Sequence, residues 1–290
     1  MRDFSTRLVR VFPAGAGGGN PAPIVLQADS MSEADMRGVA RRYGHESGFV
    51  LRPTDGDADF RMRYFVPEHE MEMCGHATVG ALWLLRKSGR WRGEAARIET
   101  ASGPVRGFVR NAGGADETIE ITQPAGRLEA VADAVRVARI AQVLGVAATD
   151  LLPLPVLNAA TSRVKTLVGL RSVAALAALR PDFSAMRALC EDLGSTGLYP
   201  FAVGSRERRV FHARQFPKSS GYPEDAATGI AAAALLFGLR EYGLVATDGQ
   251  AVTVRQGEAM GKPSAILVRF DLDASGAMTG CFIGGAVVED

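Results

Sequence analysis

Long apolar runs, one-signed charge and a cysteine framework are all missing from this chain. No uninterrupted apolar stretch reaches about 18 residues, which argues against a membrane-spanning helix. Lys and Arg total 33 against 32 Asp and Glu, with no basic run or stripe, and aromatics make up only 7%. No basic patch is therefore evident for a phosphate backbone and little is available for base stacking, so a nucleic-acid partner is not expected. Three cysteines (Cys74, Cys190, Cys281) lie far apart, an odd number without framework spacing. They fit reduced thiols in a cytoplasm better than a secreted disulfide scaffold. The opening MRDFSTRLVRVF lacks the apolar core of a signal peptide, which points the same way. What is present is ordinary for a globular protein: 290 residues, 47% hydrophobic and 22% charged. That length suffices for two domains, or one large one, with a sizeable core.

Alternating and short apolar runs predict strands near 7–12, 23–27, 47–52, 60–66, 96–110 and 117–122. Helical patterns fall at 32–43, with Ser32 as N-cap, and at 76–88. After QPAG (123–126) the chain becomes alanine-rich and reads as helical to about 145. Strands follow near 163–169, 198–203 and 208–216, a helix at 226–242, and strands near 250–255, 264–270 and 280–288. Intermixed strands and helices give an α/β or α+β class, with 124–126 as the domain boundary. The second half echoes the first. RYFVPEHEMEMCGHATVGALWLL (63–85) resembles RQFPKSSGYPEDAATGIAAAALL (214–236), with Arg63, Phe65 and Thr78 answering Arg214, Phe216 and Thr228. ESGFV (46–50) has a weaker echo in STGLY (195–199), and Asn20 in Asn158. Each main copy ends in a helix apolar nearly all round, which other structure must enclose. Two similar domains are expected, with a ligand cleft between them and two helix N-termini converging on it.

The glycine-rich FPAGAGGGNPAPIVL fails as a dinucleotide fingerprint, because Asn20 stands where the last glycine belongs and a strand follows. No GK[ST] follows, so a P-loop fails too; the stretch is a turn between strands, or a loop whose Asn20 reaches a ligand. In GHESGFV, Glu46 sits where a helix yields to a strand. It is either a solvated or capping carboxylate or a proton carrier at the edge of a partly dry site. EHEMEMCGH offers His69, Cys74, His76 and three glutamates, but zinc sites show paired short spacings and no second pair exists. A Cys74–His76 nucleophilic pair is weak as well, since side chains two apart on a helix do not face each other. The reading that fits better makes Gly75, His76 and the first-turn N–H groups a site for a small carboxylic acid. In YPEDAATGIAA, Asp225 is either an N-cap or a group that orients a substrate, with Thr228 and Gly229 adding donors. His45 and His212 read as surface or strand-edge residues.

Taken together, GGNPAPIVL, HESGFV, RYFVPEHEMEMCGHATVGA, GYPEDAATG, QGEAMGKPSAI (256–266) and IGGAVV (283–288) resemble the PhzF-like phenazine-biosynthesis family of the diaminopimelate-epimerase-like superfamily. They run in the family's order over nearly the whole chain. The resemblance implies an α+β fold of two pseudo-symmetric domains, each a curved mixed sheet wrapped around a central helix, and a homodimer. It puts the N-terminal domain at 1–123, joined by the C-terminal strand 280–290, and the second at 124–279. It also implies cofactor-free, metal-free isomerisation of a dihydro-hydroxyanthranilate-like acid. Glu46 would carry the proton, His76 and Asp225 would bind and polarise the substrate, and Asn20, Gly75, Thr228 and Gly229 would line the site. One departure is that the family's ATGSA reads ATGIA here, so Ile230 replaces a serine and the substrate is left open. Two rivals stay in view. One is an epimerase using Cys74 as its single thiol; the other is a ligand-binding or regulatory protein on the same scaffold.

Overall fold

A computed structural model describes residues 4–114 and 117–290. The chain divides into two compact units. Unit 1 comprises the N-terminal segment through Ala14, Gly18–Thr122 and Gly284–Asp290; unit 2 comprises Gly15–Gly17 and Gln123–Ile283.

Unit 1 begins with β1 (Thr6–Val11), β2 (Asn20–Val25), helix α1 (Glu33–Tyr43), β3 (Ser47–Leu51) and β4 (Phe60–Phe65). The short β5 (Glu70–Met71), helix α2 (Gly75–Lys87), β6 (Ala95–Thr100), β7 (Gly103–Arg110) and β8 (Thr118–Pro124) follow. Unit 2 carries β9 (Arg127–Ala130), α3 (Ala134–Leu144), β10 (Leu157–Ala160), β11 (Val164–Leu170), α4 (Val173–Ala178) and α5 (Phe183–Asp192). It continues through β12 (Gly197–Ser205), β13 (Val210–Ala213), β14 (Phe216–Pro217), α6 (Gly229–Glu241), β15 (Val252–Gln256), β16 (Ser264–Leu272) and β17 (Met278–Gly285). The chain ends in β18 (Val287–Glu289), which pairs with β1.

The two units repeat one ladder. In unit 1, β18–β1 and β1–β2 are antiparallel, β2–β3 parallel, β3–β4 antiparallel, β4–β6 parallel and β6–β7 antiparallel. In unit 2, β9–β10 and β10–β11 are antiparallel, β11–β12 parallel, β12–β13 antiparallel, β13–β15 parallel and β15–β16 antiparallel. The fold is α+β, and each unit wraps its mixed sheet around one helix. The apolar sequence of α2 demands this enclosure, and every residue from Gly75 to Leu82 is buried. Close approach needs glycine on the strands: a Cβ at Gly48 of β3 would lie 2.9 Å from Ile24 Cδ1, and one at Gly107 of β7 would lie 2.4 Å from Leu82 of α2. The helices need it too: a Cβ at Gly80 of α2 would lie 2.8 Å from Val9 of β1, and one at Gly238 of α6 would lie 2.4 Å from Leu167 of β11. Outer helices cover the other faces. Met36 and Ala40 of α1 pack with Val25 and Phe49, while Ile140 of α3 and Leu189 of α5 pack with Val168 and Leu198.

Local signals set several boundaries as expected. Ser32 caps α1 in a reciprocal capping box with Asp35. Other expectations change. The run 96–110 is a hairpin, β6 and β7, turning at Gly103 with φ 106°. The alanine-rich stretch first forms β9 and becomes helical only from Ala134, because ladder pairing with β10 overrides local composition. Helices α4 and α5 and strand β10 lie in the stretch 146–162 and 172–196 that carried no prediction. Asn158 is not the counterpart of Asn20: it lies on β10, which answers β1, and its amide is used between Thr166 Oγ1 (2.8 Å) and Leu193 O (2.7 Å).

The helix starts revise the internal alignment. Cys74 is the N-cap of α2 and Thr228 the N-cap of α6, so Gly75 answers Gly229 and His76 answers Ile230. Thr78 therefore answers Ala232, not Thr228. The Arg and Phe matches hold in detail: Arg63 lies over Phe65 at 5.1 Å and Arg214 over Phe216 at 4.9 Å. Each arginine also grips one glutamate with two bonds, Glu70 and Glu224 respectively.

Candidate active site

In unit 1 the chain places a carboxylate, a thiol and an imidazole together. Helix α1 ends at Gly44 in the left-handed region, φ 68°, which turns the chain sharply into β3. Buried Ser47 donates to His45 O at 3.0 Å and ties down the short link that carries Glu46. On the facing helix, Thr78 Oγ1 donates to Cys74 O and meets the buried Tyr64 hydroxyl, both at 2.7 Å. Burial keeps that phenol protonated by raising its pKa, so the N-terminal turn of α2 is held by a closed chain of hydroxyls. Cys74 has extended angles, φ −137° and ψ 108°, and makes no side-chain cap bond. Its thiol points instead to Glu46 Oε2, 3.2 Å away, and lies 3.5 Å from His76 Nδ1. His76 Nδ1 is 3.7 Å from Glu46 Oε2, within ion-pair range once the ring is protonated. Cys74 and His76 are buried, whereas the Glu46 side chain keeps 22% of its exposure.

This arrangement corrects one sequence expectation: the thiol and imidazole do face each other. The rule that positions two apart diverge applies inside a helix, but Cys74 precedes the first helical residue. A carboxylate oxygen beside a thiol and an imidazole, at the one exposed edge of a buried cluster, can give and take a proton. The same donor set could ligate a metal ion, all three ligand atoms lying within 4.8 Å of one another. Asn20 opens β2, which runs parallel to β3, so it shares the strand end that carries Glu46. Gly75 is buried at the first turn of α2; a Cβ there would meet nothing nearer than Ile121 Cδ1 at 4.0 Å, so neighbouring side chains do not demand glycine. His69 is exposed, and His212 pairs with Glu258 at 2.7 Å.

In unit 2, Asp225 is not the N-cap of α6; Thr228 is, and its hydroxyl donates to Asp225 Oδ2 in a short hydrogen bond. Gln256, at the end of β15, organises this loop. Its Nε2 donates to Asp225 O at 2.7 Å and to Thr228 Oγ1 at 3.1 Å. Its Oε1 accepts from the Tyr199 hydroxyl at 2.8 Å and from Thr228 N at 3.4 Å. Burial raises the Tyr199 pKa and keeps that donor protonated. Gly229 is buried at the first turn, and Ile230 after it is only half-buried. Sequence reasoning missed Gln256 as a site residue. The only signal was its place at the head of QGEAMGKPSAI.

Two units that repeat one ladder, each wrapped around an enclosed helix, have a fold of the diaminopimelate-epimerase type. Comparison with known proteins narrows this. A family model described as phenazine biosynthesis-like protein, PhzC-PhzF, matches residues 9–288, and the chain belongs to that family. A Deinococcus radiodurans protein named as an uncharacterized isomerase is 35% identical over 272 residues, covering 91% of this chain and 86% of that protein. The trans-2,3-dihydro-3-hydroxyanthranilate isomerase of Pseudomonas aeruginosa is 34% identical over 253 residues, covering 87% and 84%. Among solved structures, a phenazine biosynthesis protein of the PhzF family from Bacillus anthracis superposes with a TM-score of 0.88 at 26% identity, covering 100% of this chain and 97% of that one. A probable proline racemase from Agrobacterium radiobacter shares the fold, with a TM-score of 0.64 at 13% identity over 99% and 91%. The protein is an isomerase of the PhzF-like family.

Proposed function

We propose that this isomerase shifts a proton between carbons of a small amino or hydroxy carboxylic acid, with Glu46 as the acid/base group. The observation that carries the reading is the carboxylate of Glu46, held by buried elements yet partly exposed, 3.2 Å from the Cys74 thiol and 3.7 Å from His76 Nδ1. Glu46 removes a proton from one carbon, the electron pair moves through the conjugated system, and the protonated Glu46 delivers the proton to another carbon. His76 offers a ring N–H to a substrate carboxylate or to developing negative charge, reinforced by the first-turn N–H groups after Gly75. Asp225, fixed by Thr228 and Gln256, binds a substrate amine or hydroxyl. The substrate resembles a dihydro-hydroxyanthranilate, the type of compound named for the Pseudomonas aeruginosa relative. At the helix position that answers His76, Ile230 offers an apolar surface and no hydrogen bond, which favours a substrate with an unsubstituted edge there. Dimerisation and a cytoplasmic setting belong to the same proposal, on the resemblance and on three cysteines that form no disulfide.

One observation favours a second reading. The contact between Cys74 Sγ and Glu46 would let the thiol act as base with Glu46 as its partner, as in an epimerase with one thiol. Substrate turnover in D₂O, followed by mass shift, separates the two. Glu46→Gln abolishes deuterium incorporation and leaves binding nearly intact if the carboxylate is the carrier. Loss on Cys74→Ala with retention in Glu46→Gln installs the thiol instead.

A further inference from the structure

The mixed donor set in unit 1 has a geometry that proton transfer alone does not require. Zinc bound tetrahedrally by sulfur at about 2.3 Å and by nitrogen and oxygen at about 2.0–2.2 Å sets its donor atoms roughly 3.3–3.6 Å apart. In this structure Glu46 Oε2 lies 3.2 Å from Cys74 Sγ, Cys74 Sγ lies 3.5 Å from His76 Nδ1, and His76 Nδ1 lies 3.7 Å from Glu46 Oε2. The three atoms thus form the face of a metal tetrahedron with adjustments of only a few tenths of an ångström. Their chemistry also suits a thiophilic ion: one thiol, one imidazole nitrogen and one carboxylate oxygen. Cys74 and His76 are buried, which shields the sulfur, while the partial exposure of Glu46 leaves an entry path.

We propose that Glu46, Cys74 and His76 bind a zinc-class divalent cation in an open three-donor site, and that the bound ion silences proton transfer at Glu46. Binding replaces the thiol proton: hydrated Zn²⁺ and the Cys74 thiol give a zinc–thiolate, one proton passes to solvent, and no oxidation state changes. The carboxylate that would carry the substrate proton then donates its oxygen to the metal. The silencing half rests on the proposed role of Glu46, whereas the binding half rests on geometry alone. Cys190 and Cys281 do not compete, since burial raises both thiols, Cys190 to about 11.

The test uses the full chain, stripped with a chelator and kept reduced, titrated calorimetrically with ZnSO₄ and spectroscopically with CoCl₂. The expected result is one ion per chain and a thiolate-to-cobalt charge-transfer band, both absent in Cys74→Ala. Glu46→Gln and His76→Asn each weaken binding at least about tenfold, the loss seen even for groups that only support a ligand. An unchanged near-ultraviolet circular dichroism spectrum shows that the variants are folded, and Cys74→Ser, which keeps the polar contact without the soft ligand, also loses the cobalt band. Zinc binding that survives Cys74→Ala, or no binding to the wild-type protein, overturns the site. Zinc that binds through Cys74 yet leaves deuterium exchange at its original rate overturns the silencing half and leaves Glu46 to be judged by its own substitution.

Discussion

Gln256 donates twice and accepts twice, with three bonds to Asp225 and Thr228 in one loop and one from Tyr199 of β12. A buried amide satisfied in this way fixes Asp225 and Thr228 relative to the start of α6. Gln256→Leu keeps the volume but strands the Tyr199 hydroxyl and frees the loop. It should cost about 1–3 kcal/mol of stability and lower kcat/KM by at least tenfold, read by urea unfolding and steady-state kinetics. Loss of stability with unchanged kinetics would show that Asp225 needs no such support. Residues of this kind were hardly legible in the sequence, since a glutamine thirty-one positions from its aspartate gives no local pattern. Glu46 and His76 were legible by type and neighbourhood. The facing of Cys74 and His76 was not legible, because it turned on a single helical position, inside the first turn or just before it.

At the scale of elements, both enclosed helices could be read from their apolar sequence, and both start within three residues of the prediction. Strands that depend on distant partners could not: β9 and β10 are short and owe their form to each other. The start of α2 depends on the chain Tyr64–Thr78–Cys74, entirely buried. Thr78→Val is nearly isosteric, yet leaves the Tyr64 hydroxyl short of a partner in an apolar setting and the Cys74 carbonyl with only the backbone N–H of residue 78. A loss of about 1–3 kcal/mol is expected, measured by urea unfolding. A neutral result would mean that water reaches this turn and that the site is wetter than its burial indicates.

For the whole molecule, the internal repeat was visible as similar sequence near each helix start, but its true register required the ladder. The ladder matches the strands, and the starts of α2 and α6 pair Cys74 with Thr228 and His76 with Ile230. One frame therefore carries two differently equipped halves. The same frame sets the pH range of stability. Hydrogen bonds from Ser184 and the Ala185 N–H hold Asp182 below the ordinary carboxylate range, Ser275 does the same for Asp273, and Arg7 for Glu289. Their contribution is present above the unfolded carboxylate range and fades as pH falls through it, below about pH 5. Burial moves Cys190 the other way, from 9.0 to about 11. The folded state keeps this thiol neutral, so its contribution holds below pH 9 and is lost as pH rises from 9 toward 11. Thermal melts across pH should show a plateau with losses on both sides. A plateau that continues past pH 11 would contradict the burial of this thiol.

The proposed role of Glu46 is to carry the proton. It is tested most directly by incubating wild-type protein, Glu46→Gln and Cys74→Ala with a library of small amino and hydroxy acids in D₂O and recording the mass of each recovered acid. The expected result is a one-deuteron gain in at least one acid with the wild-type protein and with Cys74→Ala, and none with Glu46→Gln. Deuterium incorporation that persists in Glu46→Gln and vanishes in Cys74→Ala would contradict it.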